Sequence, residues 1–152
     1  GAFSYPITFL ITDLANRAYG KLVAKKIVYI GFVIGIVLTL LISTNYSDII
    51  SIRIAIGSGI AFFIAQHSDV LIFDYLRRKT WYIAPLTSSI LGSIIDTFLF
   101  FSIAFYATEV SWLTLAFGDL IVKIFIALTM LIPFRLLLSS IKDVSVNTLH
   151  KV

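Results

Sequence analysis

Between Ile83 and Ala107 the chain carries a single charged residue, Asp96. An uncharged run of this length is what a helix needs to cross a bilayer, about 20 residues at a rise of ~1.5 Å each. The aspartate near its middle is the informative exception. A carboxylate at that depth is costly unless it faces a protein interior, a partner charge or a watery cavity. Asp13, Asp69 and Lys123 stand at similar depth in other apolar segments. The chain therefore reads as a membrane protein with a polar site at its centre, and transport is the function class this points to first.

Composition supports the membrane reading. Hydrophobic residues make up 59% of the 152 and charged residues only 13%, with a mean hydropathy of +1.02. A soluble domain of this size buries about 70% of its surface, which would leave too much apolar area facing water. There is no cysteine, which excludes disulfides, thiolate chemistry and cysteine-based metal sites. The net charge of +4 comes from basic residues gathered at segment ends. That placement fits membrane topology better than nucleic-acid binding.

Five apolar segments follow one another: Pro6 to Tyr19, Ile27 to Ser43, about Arg53 to Leu76, Ile83 to Ala107 and Trp112 to Leu138. The last three are long enough to span easily and the second is marginal. The first carries Asp13, Asn16 and Arg17 and is too short unless its polar end is buried in protein. Ser4 and Pro6 suit a helix start, while Pro85 and Pro133 fall near segment ends. Nothing reads as a soluble domain, a linker or an internal repeat. The expected fold is all-α, a polytopic transmembrane helix bundle with five helices, in which residues 1–152 form one membrane-embedded domain.

Basic residues set the orientation. Arg17, Lys21, Lys25 and Lys26 follow the first segment, Arg77, Arg78 and Lys79 follow the third, and Arg135, Lys142 and Lys151 lie at the C-terminal end. Thr44 to Ile52 contains no Lys or Arg, and Thr108 to Ser111 has only Glu109. The positive-inside rule then puts the basic loops and the C-terminus in the cytoplasm. The first segment begins on the outer side, and with no signal peptide in view a further span upstream is expected, making six helices in the complete form.

Depth sorts the polar residues. Counting ~1.5 Å per residue from the outer ends, Asp13 lies roughly 13 Å in, Asp96 and Lys123 roughly 15–18 Å, Gln66 and Arg17 roughly 20 Å, and Asp69 roughly 24 Å. Helical spacing groups Asp13, Asn16 and Arg17 on one face, Phe62, Gln66, Asp69 and Phe73 on a second, and Ser89, Gly92, Ser93, Asp96 and Phe100 on a third. Such stripes in a small bundle build one shared pocket. Each residue also has a structural reading. Asp96 and Lys123 match in depth and could neutralise one another as a clamp. Asp13 and Arg17 could form a local pair, and Gly57, Gly59, Gly92, Ser89 and Ser93 suit close helix packing. Gln66 and Asp69, flanked by phenylalanines, read more strongly as ligand contacts. His67 points off that stripe and suits a helix interface. Trp81, Tyr82 and Trp112 occupy segment ends, as an aromatic belt requires.

Enzyme signatures are missing. Phe117-Gly118-Asp119 faintly resembles the GxGD of intramembrane aspartyl proteases, but Ala116 takes the first glycine position and Asp119 falls near the outer end of its segment. No HExxH, Walker A or Gly-rich phosphate loop is present. No cofactor is expected, and any ATP coupling would have to come from another subunit.

Tyr5-Pro6 with Phe9-Leu10-Ile11-Thr12-Asp13-Leu14-Ala15-Asn16-Arg17 and Gly20 resembles the opening signature of the queuosine precursor transporters, a branch of the vitamin uptake transporters. So do Gln66, Asp69 and Phe73-Asp74, then Ala84-Pro85-Leu86, Ser88-Ser89, Gly92-Ser93, Asp96-Thr97 and Phe100-Phe101, and finally Lys123 and Pro133-Phe134-Arg135. The resemblance runs from about Ala2 to Leu137. It implies six transmembrane helices, of which the first is missing here, and import of 7-cyano-7-deazaguanine, often with its aminomethyl derivative, for making the queuosine of tRNA. The family is also similar to the membrane subunits of energy-coupling-factor vitamin transporters. His67 departs from the aliphatic residue expected at its place.

The residues suit that substrate. A 7-deazaguanine offers two adjacent N–H donors that one carboxylate can accept together, a carbonyl acceptor and a flat ring for stacking, worth ~1–3 kcal/mol per base. Asp69 or Asp13 can supply the carboxylate, Gln66 and Asn16 the amides, and Phe62, Phe73 or Phe100 the stacking face. The aminomethyl form is cationic and favours a second carboxylate. Asp13, Asn16, Phe62, Gln66, Asp69, Phe73, Ser89, Asp96 and Lys123 are thus the candidate substrate-binding residues. The expected surroundings are the inner membrane, the lipid bilayer and the deazapurine, with no nucleic acid and with a homodimer admitted. Two alternatives stand beside this reading: a substrate-capture subunit that works only with an energy-coupling module, and a non-transporting structural membrane protein whose charges merely pair.

Overall fold

In a computed structural model, residues 5–141 are described, and they form five helices: α1 Tyr5–Tyr19, α2 Lys21–Leu38, α3 Ile49–Leu76, α4 Ile83–Phe105 and α5 Trp112–Leu138. Ser4, Lys142 and Lys151, assigned above to a helix start and a basic tail, lie outside the described residues. α2 continues without a break through one wider turn, Thr39–Ser43, so the continuous helix runs over 23 residues from Lys21. It is long and apolar enough to span, as are α3, α4 and α5. The chain is a multi-pass helical membrane protein.

Local chemistry explains the element ends. Asp48 caps α3, its carboxylate accepting from the backbone N–H groups of Ile50 (3.1 Å) and Ser51 (3.2 Å); this satisfies two of the orphan donors of a helix start. The helix therefore begins four residues ahead of Arg53. At the other end of α4, Arg53 Nε donates to Ile103 O (3.0 Å) and Nη2 to Tyr106 O (2.8 Å), holding carbonyls that the helix leaves free. Pro85 sits in the first turn of α4, where its missing N–H has no helical partner to lose. Where α2 widens, Thr44 Oγ1 donates to Thr39 O (2.9 Å) and the Tyr46 hydroxyl to Leu40 O (2.6 Å).

The basic run after the first segment is not a loop. Gly20 alone joins α1 to α2: its N–H donates to Asn16 O and its carbonyl accepts from Ala24 N. Its φ of 85° and ψ of 169° lie in a region that only glycine occupies without strain. Lys21, Lys25 and Lys26 are thus the opening turns of α2. They gather with Arg17, Arg77, Arg78, Lys79 and Arg135 at one end of the bundle, called here the basic end.

α2, α3, α4 and α5 follow one another as a fan, each touching its neighbour, and the α3–α4 contact is the most extensive. Among the described residues α2 touches neither α4 nor α5. The short α1 lies against all four, which is how its polar end comes to be buried in protein rather than lipid. Close approach is built in where α1 meets α4: a Cβ on Gly92 would meet the Phe9 ring at 2.9 Å. By contrast α2 buries little more than Ala24 and Val28, leaving side chains such as Leu22 and Ile34 for lipid to cover.

Candidate functional site

Eight of the nine candidate residues are buried: Asp13, Asn16, Gln66, Asp69, Phe73, Ser89, Asp96 and Lys123. Phe62 is half-buried and lines the apolar groove between α2 and α3. The polar residues do not share one pocket. They form two clusters on the buried face of α4, one around Ser88 and one around Asp96, eight residues or about 12 Å apart along the helix.

The first cluster lies toward the basic end, where α1, α3 and α4 meet. Asp13 and Asp69 face each other, with Ser88 in reach of both. The Ser88 hydroxyl stands 3.5 Å from Asp13 Oδ1 and 3.4 Å from Pro85 O, so it gives the pair a weak donor at best. Neither Asp69 oxygen has a hydrogen-bond partner, nor does Asn16 Oδ1, though both residues are 0% exposed. Asn16 spends its amide on α3, Nδ2 donating to Val70 O at 2.9 Å. Gln66 is held at both ends by α1: Thr12 Oγ1 donates to Oε1 (2.9 Å) and Nε2 donates to Thr8 Oγ1 (3.1 Å). As placed here it ties α3 to α1.

Phe73 closes this cluster on its basic side. Its ring meets Phe134 edge-on at 6.2 Å between centroids, and both pack with Ala84. A narrow crevice beside Asp13 and Ser89, walled by Pro85, Met130, Leu131 and Phe134, has a volume of about 10 Å³. That is about the room of one water molecule, so the bundle is closed around the cluster. The stacking faces assigned above are spread apart: Phe100 packs with Phe101 and Phe105 toward the far end of α4.

The second cluster joins α4 to α5. Lys123 Nζ donates to Asp96 Oδ2 (2.7 Å) and Thr97 Oγ1 (3.1 Å), and it also pairs with Asp119. Thr97 Oγ1 in turn donates to Asp119 Oδ2 at 2.9 Å. An ammonium has three donors, and three acceptors converge on this one. The expected Asp96–Lys123 clamp is present, with a second carboxylate that the sequence reading set aside. Asp119 lies at i, i+4 from Lys123, the spacing of a helical ion pair.

Other expectations resolve individually. Asp13 and Arg17 do not pair; Arg17 Nη1 donates to Arg77 O (2.6 Å) while Arg77 Nη2 donates to Arg17 O (3.0 Å), so each arginine caps the other's chain. His67 stacks on Phe63 at 5.9 Å, at the α2–α3 interface. Trp81 meets Tyr82 edge-on, and Arg135 lies 4.8 Å over the Trp81 ring. Thr12, Ser88 and Thr97 belong to the clusters but are absent from the candidate set. The signals available were the place of all three in the family-like runs and the i, i+4 spacing of Thr12 to Asn16.

A family model described as "Putative vitamin uptake transporter" matches residues 1–138. A probable queuosine precursor transporter of Haemophilus influenzae is 36% identical, over 88% of this chain and 65% of its own length. The queuosine precursor transporter of Escherichia coli is 30% identical, over 88% of this chain and 69% of its own. A probable queuosine precursor transporter of Bacillus subtilis is 29% identical, over 84% and 66%. The chain thus spans about two thirds of the length of these relatives. No solved structure matches it at a significant level.

Proposed function

The chain belongs to the vitamin uptake transporter family, and on that premise we propose that it imports queuosine precursors, 7-cyano-7-deazaguanine and its aminomethyl derivative, across the inner membrane. The observation that supports this most directly is the set of acceptors in the first cluster that no protein N–H group reaches: both oxygens of Asp69 and Oδ1 of Asn16, on fully buried residues. Leaving buried polar atoms unbonded costs ~1–3 kcal/mol each, and sites that persist at that cost suit a ligand that brings the missing donors. The N–H edge of a deazaguanine does so, with its ring nitrogen and exocyclic amine reaching one carboxylate together. Asp69 is the reader of that edge, Asn16 an auxiliary acceptor, and Asp13 the second carboxylate that an aminomethyl group would meet.

The relatives' names support the same solute class. Because the crevice is so narrow, loading requires α1 to part from α4 or α5. Asp69→Asn keeps the shape but turns one acceptor into a donor facing a donor. The lost charged hydrogen bond together with the two opposed donors corresponds to about 2–4 kcal/mol, or roughly 30- to 1000-fold in affinity. Uptake of radiolabelled 7-cyano-7-deazaguanine is the test, in a precursor-auxotrophic bacterium lacking coupling-factor ATPases. Uptake that fails there but returns with those ATPases would favour a capture subunit. Wild-type affinity in a folded Asp69→Asn protein would move the reader elsewhere, with Asp13 and Asn16 next.

A further inference from the structure

Asp13 and Asp69 come from different helices, are 1% and 0% exposed, and face each other. An ionised carboxylate only accepts hydrogen bonds, so two of them in contact repel unless something positive lies between. Among the described residues the charged groups nearby are engaged elsewhere. On α1, Arg17 is turned to the Arg77 carbonyl. On α2, Lys21 bridges to Asp74 at 3.4 Å, and on α3 Arg77 reaches the same carboxylate at 3.2 Å. His67 stacks on Phe63. α4 contributes the Ser88 hydroxyl, and α5 contributes Met130, Leu131 and Phe134 to the adjoining crevice. Lys123 is held by Asp96 and Asp119.

We propose that Asp13 and Asp69 hold a proton between them in the closed bundle, and that passage of the ligand is coupled to that proton. Two like charges in one buried site do not both ionise. With one proton shared, the O–H of one carboxyl group donates to the carboxylate of the other. A metal cation fits poorly: among the described residues no group of three or more His, Cys, Asp or Glu side chains is placed to hold one. When the bundle opens to water the proton passes to a water molecule and both groups ionise. Closing takes a proton back. A neutral deazaguanine then travels with that proton and the empty bundle returns with one, so its passage moves no net proton; an ammonium-bearing one brings the positive charge itself, and the empty bundle carries a proton back in exchange. The proton-holding half stands on this geometry; the coupling half rests on the deazapurine reading.

The two halves separate in the laboratory. Infrared spectra of the purified, ligand-free protein in lipid at neutral pH are expected to show the carbonyl stretch of a protonated carboxyl group, lost in Asp13→Asn/Asp69→Asn. Absence of the band from the wild type overturns the proposal without any variant. Its survival in a folded double variant also overturns it; if the double variant does not fold, the two single variants give the same reading. For coupling, the protein is reconstituted in liposomes and given labelled 7-aminomethyl-7-deazaguanine. An outward proton gradient of ~1 pH unit, with an acid lumen, is expected to drive up to ~10-fold accumulation at one proton per ligand, abolished by a protonophore and missing from protein-free liposomes. Accumulation indifferent to that gradient, or driven by sodium instead, overturns the coupling. No uptake under any gradient counts against the deazapurine reading and the coupling with it, while the infrared band decides the proton pair separately.

Discussion

Lys123 is held by two carboxylates rather than one, and the cost of removing each partner should differ accordingly. At 2.7 Å from Asp96 Oδ2, and with an effective dielectric constant of ~20, one such attraction amounts to about 6 kcal/mol before desolvation is subtracted. Breaking a buried pair by removing one partner costs a net ~3–5 kcal/mol, because a charge is left without compensation. Lys123→Gln strands both Asp96 and Asp119 and should show that full cost, a drop of roughly two to four powers of ten in the folding equilibrium. Asp96→Asn leaves Lys123 still neutralised by Asp119, so the loss falls to that of one charged hydrogen bond, ~1.5–3 kcal/mol. In the double variant the remaining carboxylate is Asp119, which at 17% side-chain exposure keeps some access to water. Asp96→Asn/Lys123→Gln should therefore be more stable than Lys123→Gln alone. Unfolding of each purified variant by SDS titration in mixed micelles measures these differences. Equal losses for Asp96→Asn and Lys123→Gln, or additive losses in the double variant, would refute the idea of a lysine shared by two acids.

Three further outcomes are expected. Gly20→Ala meets no atom within 4 Å of the added Cβ, so its entire cost is backbone strain, ~1–3 kcal/mol; an unchanged melting temperature would show that the linker does not need glycine's freedom. Ala107 holds φ at 59° in the α4–α5 turn, where an L-residue is strained by ~1–2 kcal/mol; Ala107→Gly should raise stability by up to about 1 kcal/mol in the same assay, and a loss would contradict the strain. Cysteines placed singly at Ser47 and Lys79 should react with an impermeant thiol reagent from opposite sides of the membrane, Lys79 from the cytoplasm; equal labelling from outside would reverse or abolish the proposed orientation.

The spanning helices were legible because lipid imposes one requirement on them, an uncharged run of sufficient length. Trp112–Leu138 coincides with its segment, whereas α2 begins six residues before Ile27. Lysines at a helix start extend their ammonium groups toward water while their stems stay with the helix, so charge there looks like a loop but is not. The start of α3 carried a readable signal in Asp48, an N-cap residue, masked by the attention Arg53 draws as a charge. Pairing of Asp96 with Lys123 followed from matched depth. Asp119 escaped because depth alone placed it near an end, although its spacing to Lys123 was in view. Depth also merged the two clusters: Asp13, Asp69 and Asp96 fall within one broad layer, and which of them meet depends on how α1 leans across α3 and α4. No one-dimensional count contains that angle.

The place of α1 has a consequence for how the protein is made. Its polar side chains emerge from the ribosome well before their partners: Val70 lies 54 residues beyond Asn16 and Ser88 lies 75 beyond Asp13. At a synthesis rate of ~5–20 residues per second, that is a wait of roughly 3 to 15 seconds. During this interval a carboxylate and an amide lack these partners, and hydrocarbon is a hostile place for both. Insertion is therefore expected to run out of sequence order, with α1 lingering at the membrane surface until α3 and α4 are seated and then moving in against them. Cellular insertion machinery that shelters short polar helices would bear most directly on this first step.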